Sequence, residues 1–298
     1  EVLAEWDIRS PSDQREVWRS VLEGFKAQIT PQPPILQLQL SMEENLVNHV
    51  VLSDVHVGSL LFEEDPMDYE ELIIRSFERM IDGLPRAKTC VLVNLGDWFN
   101  FDTILPITSR SKNVLFSNMH YHDMVQAAIR ILRRILNAAL SYHEEVYLII
   151  ADGNHDDVSA LWLRILMMTL YADEPRVKIV DSDNGFFALK LGDVFLGYHH
   201  GHEKSIRDVK DLILTFADEY AELWGTSKYR YIHHGHYHHL KKSEETGAEV
   251  IQHPTLAGKE LFGSKKNFRS KRAAIGTTYS KTFGDGGEVV VRPEMILS

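Results

Sequence analysis

Histidines are concentrated in one part of the chain. The stretch "YIHHGHYHHL" (231–240) holds five of them, and "HHGH" (199–202) holds three more. Eight of the 15 histidines thus lie between His199 and His239, where uniform scatter would place about two. Because imidazole is the commonest protein ligand for metals, this density favours a metal site over a polar loop that is merely rich in histidine.

Polar turns with carboxylates and amides follow several predicted strands. The turns are "SDVHVG" (53–58), "GDWFN" (96–100), "GNHDD" (153–157), "HHGH" (199–202) and "HHGHYHH" (233–239). In open α/β sheets the ligand site lies beyond the carboxyl ends of the strands, so we expect these turns to converge. One such turn alone is equally well explained by hydrogen bonds to its own backbone. Five together predict a centre of oxygen and nitrogen donors that suits manganese, iron or zinc.

The segments between these turns alternate between strand-like and helix-like patterns. Strands are predicted at 49–54, 89–97, 145–156, 176–181, 186–190, 193–198 and 228–232, and helices at 67–82, 124–140, 158–171 and 205–222. Residues 98–120 are predicted to form a long loop, and the chain after residue 248 shows only short strand-like pieces. The alternation predicts the α/β fold class.

The chain is predicted to have one main domain with an appendage. Residues 12–29 have apolar positions at helical spacing, and "TPQPP" (30–34) interrupts that pattern. We therefore interpret residues 1–45 as an N-terminal helical arm or appendage and 46–298 as the main domain, which would carry any catalytic site and whose tail segment 259–298 contains a basic stretch. That stretch, "SKKNFRSKR" (264–272), is either a solvated loop or a contact for a phosphate backbone.

Composition excludes several classes of protein. The formal net charge is −11, so any phosphate-bearing partner must be attracted by a local basic patch or by bound cations. Cys90 is the single cysteine, which excludes a disulfide within the chain and a zinc site built from several thiolates. Apolar runs such as "VYLIIA" (146–151) are far shorter than the roughly 20 residues that span a bilayer. With no signal peptide visible, a cytoplasmic protein without membrane contact is expected.

Taken in order, the five turns resemble the motifs of the calcineurin-like metallophosphoesterase superfamily. The blocks D-x-H, G-D, G-N-H-[DE], H and G-H-x-H are all present between residues 49 and 240. The resemblance implies a four-layer αββα fold, in which a β-sandwich of mixed sheets is flanked by helices. It also implies a hydrolase that binds two divalent ions, with Mn²⁺ favoured and iron, zinc, nickel or magnesium as alternatives.

The resemblance assigns residues to the metals position by position. It places Asp54, His56 and His238 at the first ion, Asp97 between the two ions, and Asn154, His200 and His236 at the second. His199 competes with His200, which is favoured because it directly precedes Gly201.

Catalytic roles follow from the same resemblance. His155 matches the catalytic histidine of the family, which would protonate the leaving alkoxide or stabilise the transferring phosphoryl group. Asp156 is placed to orient His155 or another ligand, also as part of the catalytic set. The remaining expectations concern substrate: Asn100 either binds phosphate or caps its turn, and His202 either lies near the substrate or is solvated.

The expected reaction is cleavage of a phosphodiester in nucleic acid or nucleotides by a hydroxide held between the ions. The "GDWFN" and "GNHD" blocks are similar to those of SbcD-type repair nucleases, which favours DNA or RNA as the partner. Phe101 and Asp156 stand where the Ser/Thr phosphatases have arginine and glutamate, which disfavours that group. A phosphomonoesterase acting on a nucleotide, sugar phosphate or phosphoprotein is the alternative, and a scaffold without activity is the third interpretation.

Overall fold

The computed structural model describes most of the chain after residue 41. The described residues are 35–36, 42–59, 67–103, 105–107, 114–115, 117, 119–203, 208–258 and 271–297. The helical pattern predicted at 12–29 and most of the basic stretch 264–272 lie outside them.

Seventeen helices and strands are defined in this part of the chain. In chain order they are β1 (Glu43–Leu52), α1 (Tyr69–Gly83), β2 (Ala87–Asn94), α2 (Tyr121–Tyr142), β3 (Glu145–Ile150), α3 (Asp157–Leu170), β4 (Val177–Val180), β5 (Phe187–Leu191), β6 (Val194–Tyr198), α4 (Val209–Glu219), α5 (Ala221–Gly225), β7 (Tyr229–His234), β8 (Lys241–Glu245), β9 (Ala248–Gln252), β10 (Ala274–Ser280), β11 (Gly284–Val291) and α6 (Glu294–Leu297).

The strands form two mixed sheets. The first has the order β11-β10-β1-β2-β3-β4, in which β1 to β4 are parallel while β10 and β11 pair antiparallel. The second has the order β5-β6-β7-β9-β8, in which β6, β7 and β9 are parallel. Parallel strands β2 and β3 are apolar and almost wholly buried, as expected for strands covered on both faces.

Three apolar clusters separate the layers of the fold. Helices α1, α2 and α3 pack on the outer face of the first sheet. Side chains such as Val91, Ile149 and Leu196 fill the space between the two sheets. Phe216 and Leu212 of α4 cover the outer face of the second sheet together with Phe195 of β6. The predicted αββα sandwich of mixed sheets is therefore confirmed.

The predicted helices also match closely. The apolar face predicted on 124–140 is buried in α2, which extends from Tyr121 to Tyr142. The helix predicted at 205–222 is interrupted at Tyr220 and forms α4 and α5. No helix in the described part of the chain combines the length and apolarity that a bilayer crossing requires.

Two features differ from the sequence-based expectation. Strand β1 begins at Glu43, inside the segment 1–45 that was assigned to the N-terminal arm, because the exposed Glu43 still pairs with Ala87 of β2. The short strand-like pieces after residue 248 include a long hairpin, β10–β11, which extends the first sheet beside β1.

Candidate metal centre

The predicted site residues lie just beyond the carboxyl ends of parallel strands. Asp54 and His56 follow β1, and Asp97 follows β2. The two turns are joined by backbone hydrogen bonds: Asp54 N–H donates to Gly96 O at 3.1 Å and His56 N–H donates to Asp97 O at 2.9 Å. This ladder brings carboxylates and an imidazole from two strands into one buried cluster.

Potential ligand atoms form two compact groups that contain most of the residues predicted to bind the metals. One group is Asp54, His56 and His238, and another is Asp97, His200 and His236. Within each group the candidate ligand atoms lie within 4.8 Å of one another. The first group joins residues after β1 and β7, while the second joins residues after β2, β6 and β7. Both groups therefore depend on the two sheets meeting at this edge.

Asp97 belongs to the second group and also approaches the first. Its Oδ2 is 3.2 Å from His200 Nε2 and 3.9 Å from His56 Nε2, which belong to different groups. Its Oδ1 accepts a hydrogen bond from the backbone N–H of His155 at 2.9 Å. One carboxylate is thus in position to contact two ions.

Backbone strain is confined to these same residues. Among the residues that the structure describes, the non-glycine residues with positive φ are Asp54 (53°), His56 (50°), Asp97 (51°), His236 (70°) and His238 (58°). A left-handed conformation is unfavourable for residues with a Cβ and tends to cluster at functional sites. Each of the five is a predicted ligand. The left-handed backbone directs these side chains into the cluster, and it destabilises the turns locally.

Two glycines allow the turns to approach each other. A Cβ on Gly235 would lie 2.2 Å from Ser53 Oγ and 2.6 Å from Asp54 Oδ2. A Cβ on Gly153 would lie 2.1 Å from Asp97 Oδ1. The motif glycines are therefore required by close packing of backbone against carboxylate.

Asp156 holds the turn that carries Asp97. Its Oδ1 accepts hydrogen bonds from the backbone N–H groups of Asp97 (3.1 Å) and Gly153 (3.0 Å). Its Oδ2 accepts from Trp98 (2.7 Å) and Phe99 (3.1 Å). Of the two predicted roles for Asp156, these contacts support orientation of another ligand rather than of the His155 ring. Asp156 is a positioning residue.

A backbone carbonyl orients the ring of His155. His155 Nδ1 donates to Asn100 O at 2.8 Å, so Nε2 is the nitrogen left for chemistry. The ring packs edge-on against His56 at 4.7 Å between centroids, and His155 forms a third compact group with His56 and Asp97. Asn100 is 1% exposed, and its backbone N–H donates to Val57 O at 3.1 Å. Asn100 thus contributes to the site through its backbone.

The donor atoms fit divalent metals. Asn154 Oδ1 is buried, and it has no hydrogen-bond partner among the described atoms. His200 Nδ1 donates to Leu95 O at 2.8 Å, which fixes its tautomer and leaves Nε2 facing Asp97. A buried carboxamide oxygen, oriented imidazoles and two carboxylates are the donors expected for Mn²⁺, Fe²⁺ or Zn²⁺.

Electrostatics within the cluster favour ionised carboxylates. Burial opposes ionisation of Asp54, but His238 and His200 hold its pKa below the usual range. Burial alone would lower the pKa of His200, yet Asp97 and Asp54 raise it to about 10. Burial lowers the pKa of His236 to about 4. The metal-free site therefore contains a proton on His200 in place of positive metal charge.

The neighbouring histidines divide between the site and the core. The His202 side chain is 2% exposed and its ring lies 5.3 Å from that of His200, so the solvated alternative for His202 is wrong. His199 stacks on Phe186 at 4.3 Å and accepts a hydrogen bond from Gly201 N–H, away from the carboxylates. The preference for His200 over His199 is consistent with this geometry.

Some polar residues near the site carried no recognisable signal in the sequence. Thr255 Oγ1 donates to the backbone carbonyl of Asp54 at 2.6 Å and so supports the first turn. His49 and His253 pack against His233 between the sheets, and His253 Nε2 lies 2.9 Å from His233 Nδ1. Each is an isolated residue at a strand or turn, and only the folded pairing of the two sheets gives it a role.

Similarity to solved structures is broad in coverage and low in identity. The structure is similar to zinc-complexed Vps29 from Entamoeba histolytica (13% identity, 83% of this chain and 99% of that chain, TM-score 0.37). It is also similar to an archaeal phosphodiesterase (15%, 82% and 99%, TM-score 0.42) and to a predicted phosphoesterase from Streptococcus pneumoniae (10%, 85% and 99%, TM-score 0.37). No protein family and no curated protein matches the sequence. The functional argument therefore rests on the site.

Proposed function

We propose that this protein is a two-metal-dependent phosphodiesterase that cleaves phosphodiester bonds in nucleic acids or nucleotides. The observation that carries the proposal is the pair of adjacent His/Asp groups, one of which contains Asp97. Two divalent ions that share a carboxylate form a recurrent arrangement for hydrolysis of phosphate esters. Because Asp54 and Asp97 are the only anionic ligands in the proposed set, the loaded site keeps positive charge for a phosphate ester.

The proposed ligands form two sets joined by one residue. The first ion is assigned to Asp54, His56 and His238, the second to Asn154, His200 and His236, and both to Asp97. Manganese is the proposed native metal, with iron, zinc, nickel and magnesium as competitors, because the donors are oxygen and nitrogen atoms without thiolate.

His155 is the proposed catalytic residue. When bound, the ions would supply an activated water and neutralise charge on the phosphate oxygens. His155 Nδ1 is committed to Asn100 O, so Nε2 is the atom through which the imidazolium form of the ring would pass a proton to the leaving alkoxide oxygen. Asp156 keeps Asp97 and the backbone of Gly153 in register through its four hydrogen bonds. His202, buried beside His200, is proposed to contact the substrate.

The direct test compares a diester with a monoester. Protein loaded with Mn²⁺ is expected to hydrolyse bis-p-nitrophenyl phosphate and to cut single- or double-stranded DNA or RNA, with products resolved by electrophoresis. Turnover of p-nitrophenyl phosphate without any diester cleavage would instead support the phosphomonoesterase alternative. Failure to take up metal would contradict both.

Two variants separate metal binding from proton transfer. His155→Ala is expected to keep both ions, measured by elemental analysis, while turnover falls by about 10²-fold or more. Asp97→Asn is expected to lose metal and activity together. If His155→Ala retained full turnover with metal bound, the catalytic assignment of His155 would be wrong.

A further inference from the structure

A cavity of about 430 Å³ lies beside the candidate metal centre. Helix α4 contributes Val209 and Leu212 to its wall, β8 contributes Lys241 and Ser243, and the turn after β7 contributes Tyr237. Ligand pockets typically enclose about 300–1,000 Å³, so this cavity has room for a small organic group.

The cavity adjoins the proposed ligands directly. Gly201, which also lines it, follows His200 in the chain. Tyr237 lies between His236 and His238 in sequence, and its ring centroid is 5.0 Å from that of His236. A group bound in the cavity would therefore be close enough to belong to the same substrate as a phosphate held at the metal centre.

A buried polar atom in the cavity wall lacks a partner. His234 lines the cavity and is 5% exposed, and within the described part of the chain its Nδ1 has no hydrogen-bond partner. Buried polar atoms are nearly always hydrogen-bonded, either to protein or to something bound. The structure gives the His234 ring an interaction with the backbone of Gly235. An imidazole has two polar nitrogens, so one of them is left for a ligand that carries a complementary donor or acceptor.

The wall also offers an aromatic ring over an apolar floor. Tyr237 is 44% exposed and stands perpendicular to the His234 ring, at 88° and 6.2 Å between centroids. Val209, which is partly exposed, supplies the apolar surface. An exposed tyrosine beside a pocket is a platform on which a planar heterocycle stacks.

Charge in the wall disfavours a second phosphate. Asp208 and Glu245 are acidic, whereas Lys241 is the one lysine or arginine among the lining residues that the structure describes. Asp208 caps α4 by accepting from Lys210 N–H, and Glu245 accepts from Ser243 Oγ at 2.6 Å, so both carboxylates are held in place. The resulting surface suits an uncharged polar group rather than an anion.

We propose that this cavity binds the nucleobase of a nucleotidyl ester whose phosphorus lies at the metal centre. The base stacks on Tyr237 and hydrogen-bonds to a ring nitrogen of His234. The inference rests on the proposed function and narrows its substrate class to esters with a nucleoside on one side of the phosphorus.

The kinetic test uses two diesters that differ only in the nucleoside. Thymidine 5′-(p-nitrophenyl phosphate) and methyl p-nitrophenyl phosphate share a leaving group, and the Mn²⁺-loaded protein is expected to prefer the first by about 10-fold or more in kcat/KM. Ser243→Trp and Val209→Trp, which fill the cavity from β8 and from α4, are expected to abolish that preference by lowering kcat/KM for the nucleoside diester.

Matched controls place the same bulk outside the cavity. Glu244→Trp lies on the opposite face of β8, since successive residues of a strand alternate faces, and Leu214→Trp lies on an exposed part of α4. Both are expected to keep the preference of the unmodified protein. Equal kcat/KM for the two diesters in the unmodified protein, or a preference that survives both cavity-filling variants, would overturn the proposal.

A binding measurement separates this proposal from the proposed activity. Calorimetric titration of the Mn²⁺-loaded protein is expected to give about 10-fold tighter binding of adenosine 5′-monophosphate than of ribose 5-phosphate, and Ser243→Trp is expected to remove the difference. If neither diester were cleaved but this difference appeared, the phosphodiesterase assignment would fail and the base site would stand. Equal affinity for the two phosphates would remove the base site whatever the activity.

Discussion

The carboxylates beside His200 favour a protonated imidazole when no metal is bound. His200 Nε2 lies 3.2 Å from Asp97 Oδ2 and 3.9 Å from Asp54 Oδ1, and both residues are almost completely buried. Although burial disfavours the charged imidazole, these carboxylates raise the pKa of His200 to about 10. Metal ions bind the neutral imidazole, so uptake of metal must release this proton.

We therefore predict that metal binding releases about one proton per chain from His200 at pH 8. At that pH the metal-free imidazole is protonated, because its pKa lies about two units higher. Apparent metal affinity should then rise by about tenfold per pH unit below pH 10 from this group alone. Proton release is measured with an indicator dye in weakly buffered solution.

The neighbouring histidine provides the control for this measurement. Burial lowers the pKa of His199 to about 3, so His199→Gln removes a neutral ring and should leave proton release unchanged. His200→Gln should reduce it. Equal release from the two variants would show that another group carries the proton.

Gly235 tests how closely the turns must pack. The Cβ of Gly235→Ala would lie 2.2 Å from Ser53 Oγ and 2.6 Å from Asp54 Oδ2, so the carboxylate or the turn has to move. We predict a loss of metal affinity of about tenfold or more, measured by competition with a chromophoric chelator. Gly225→Ala is the matched control, because a Cβ there meets nothing within 4 Å. Unchanged affinity in Gly235→Ala would show that the turn adapts without cost.

At the scale of the elements, the turns after β2 and β3 are held together by one buried carboxylate. Asp156 precedes α3 and accepts hydrogen bonds from four backbone N–H groups, three of them in the turn that carries Asp97. Turns at strand ends lose the regular ladder of the sheet, so their N–H groups need other acceptors. The carboxylate oxygens of Asp156 are the acceptors for these N–H groups, where a neighbouring strand would otherwise provide carbonyl oxygens.

Asp156→Ala should therefore destabilise the fold as well as the site. Leaving buried N–H donors without an acceptor costs about 1–3 kcal/mol each, so we predict a loss of about 3–5 kcal/mol in the free energy of unfolding after partial relaxation. Urea denaturation of the metal-free protein measures it, which separates folding from metal binding. Asp152→Ala, a change at a partly exposed residue in the same turn, should cost less than about 1 kcal/mol. Similar losses in both variants would remove the special role of Asp156.

Sequence patterns predicted the helices and strands whose apolar residues follow a regular spacing or an unbroken run. The face of α2 and the apolar strands β2 and β3 follow helical and buried-strand patterns, and their positions agree closely with prediction. The beginning of β1 is exposed and polar, and the β10–β11 hairpin is rich in glycine, so neither has a strong strand pattern. Their place in the sheet is decided by pairing with residues more than 200 positions away.

The candidate site was more predictable than its surroundings. The resemblance of the ordered motifs to a known family predicted Asp54, Asp97 and His236 as ligands, and the structure places all three in compact groups of potential ligand atoms. Such motifs are recognisable because metal chemistry restricts which residue types occupy the turns. The residues that support the ligands are not restricted in type in this way. Thr255 and the backbone carbonyl of Asn100 each act through a single hydrogen bond that many residues can provide. The base cavity was not foreseen, because its walls come from α4, β8 and a turn that meet only in the folded protein.

At the scale of the whole molecule, the candidate centre spans the two sheets. Asp54 and Asp97 follow strands of the first sheet, whereas His200, His236 and His238 follow strands of the second. Apolar side chains already join the sheets at the core between them, so the metal-free protein is expected to fold. Bound ions would add a second connection at the polar edge, where five of the residues are in a strained left-handed conformation.

Metal binding is consequently predicted to stabilise the entire fold rather than a local turn. A ligand that binds only the folded state adds about 2.7 kcal/mol when its free concentration is 100 times its Kd. Urea denaturation, followed by both circular dichroism and tryptophan fluorescence, should show one transition that moves to higher urea when Mn²⁺ replaces chelator. In Asp97→Asn the shift should disappear, because the shared carboxylate is lost, whereas Asp152→Asn should keep it. A midpoint that does not respond to Mn²⁺ in the unmodified protein, or a shift seen by only one of the two probes, would mean that the ions do not join the sheets.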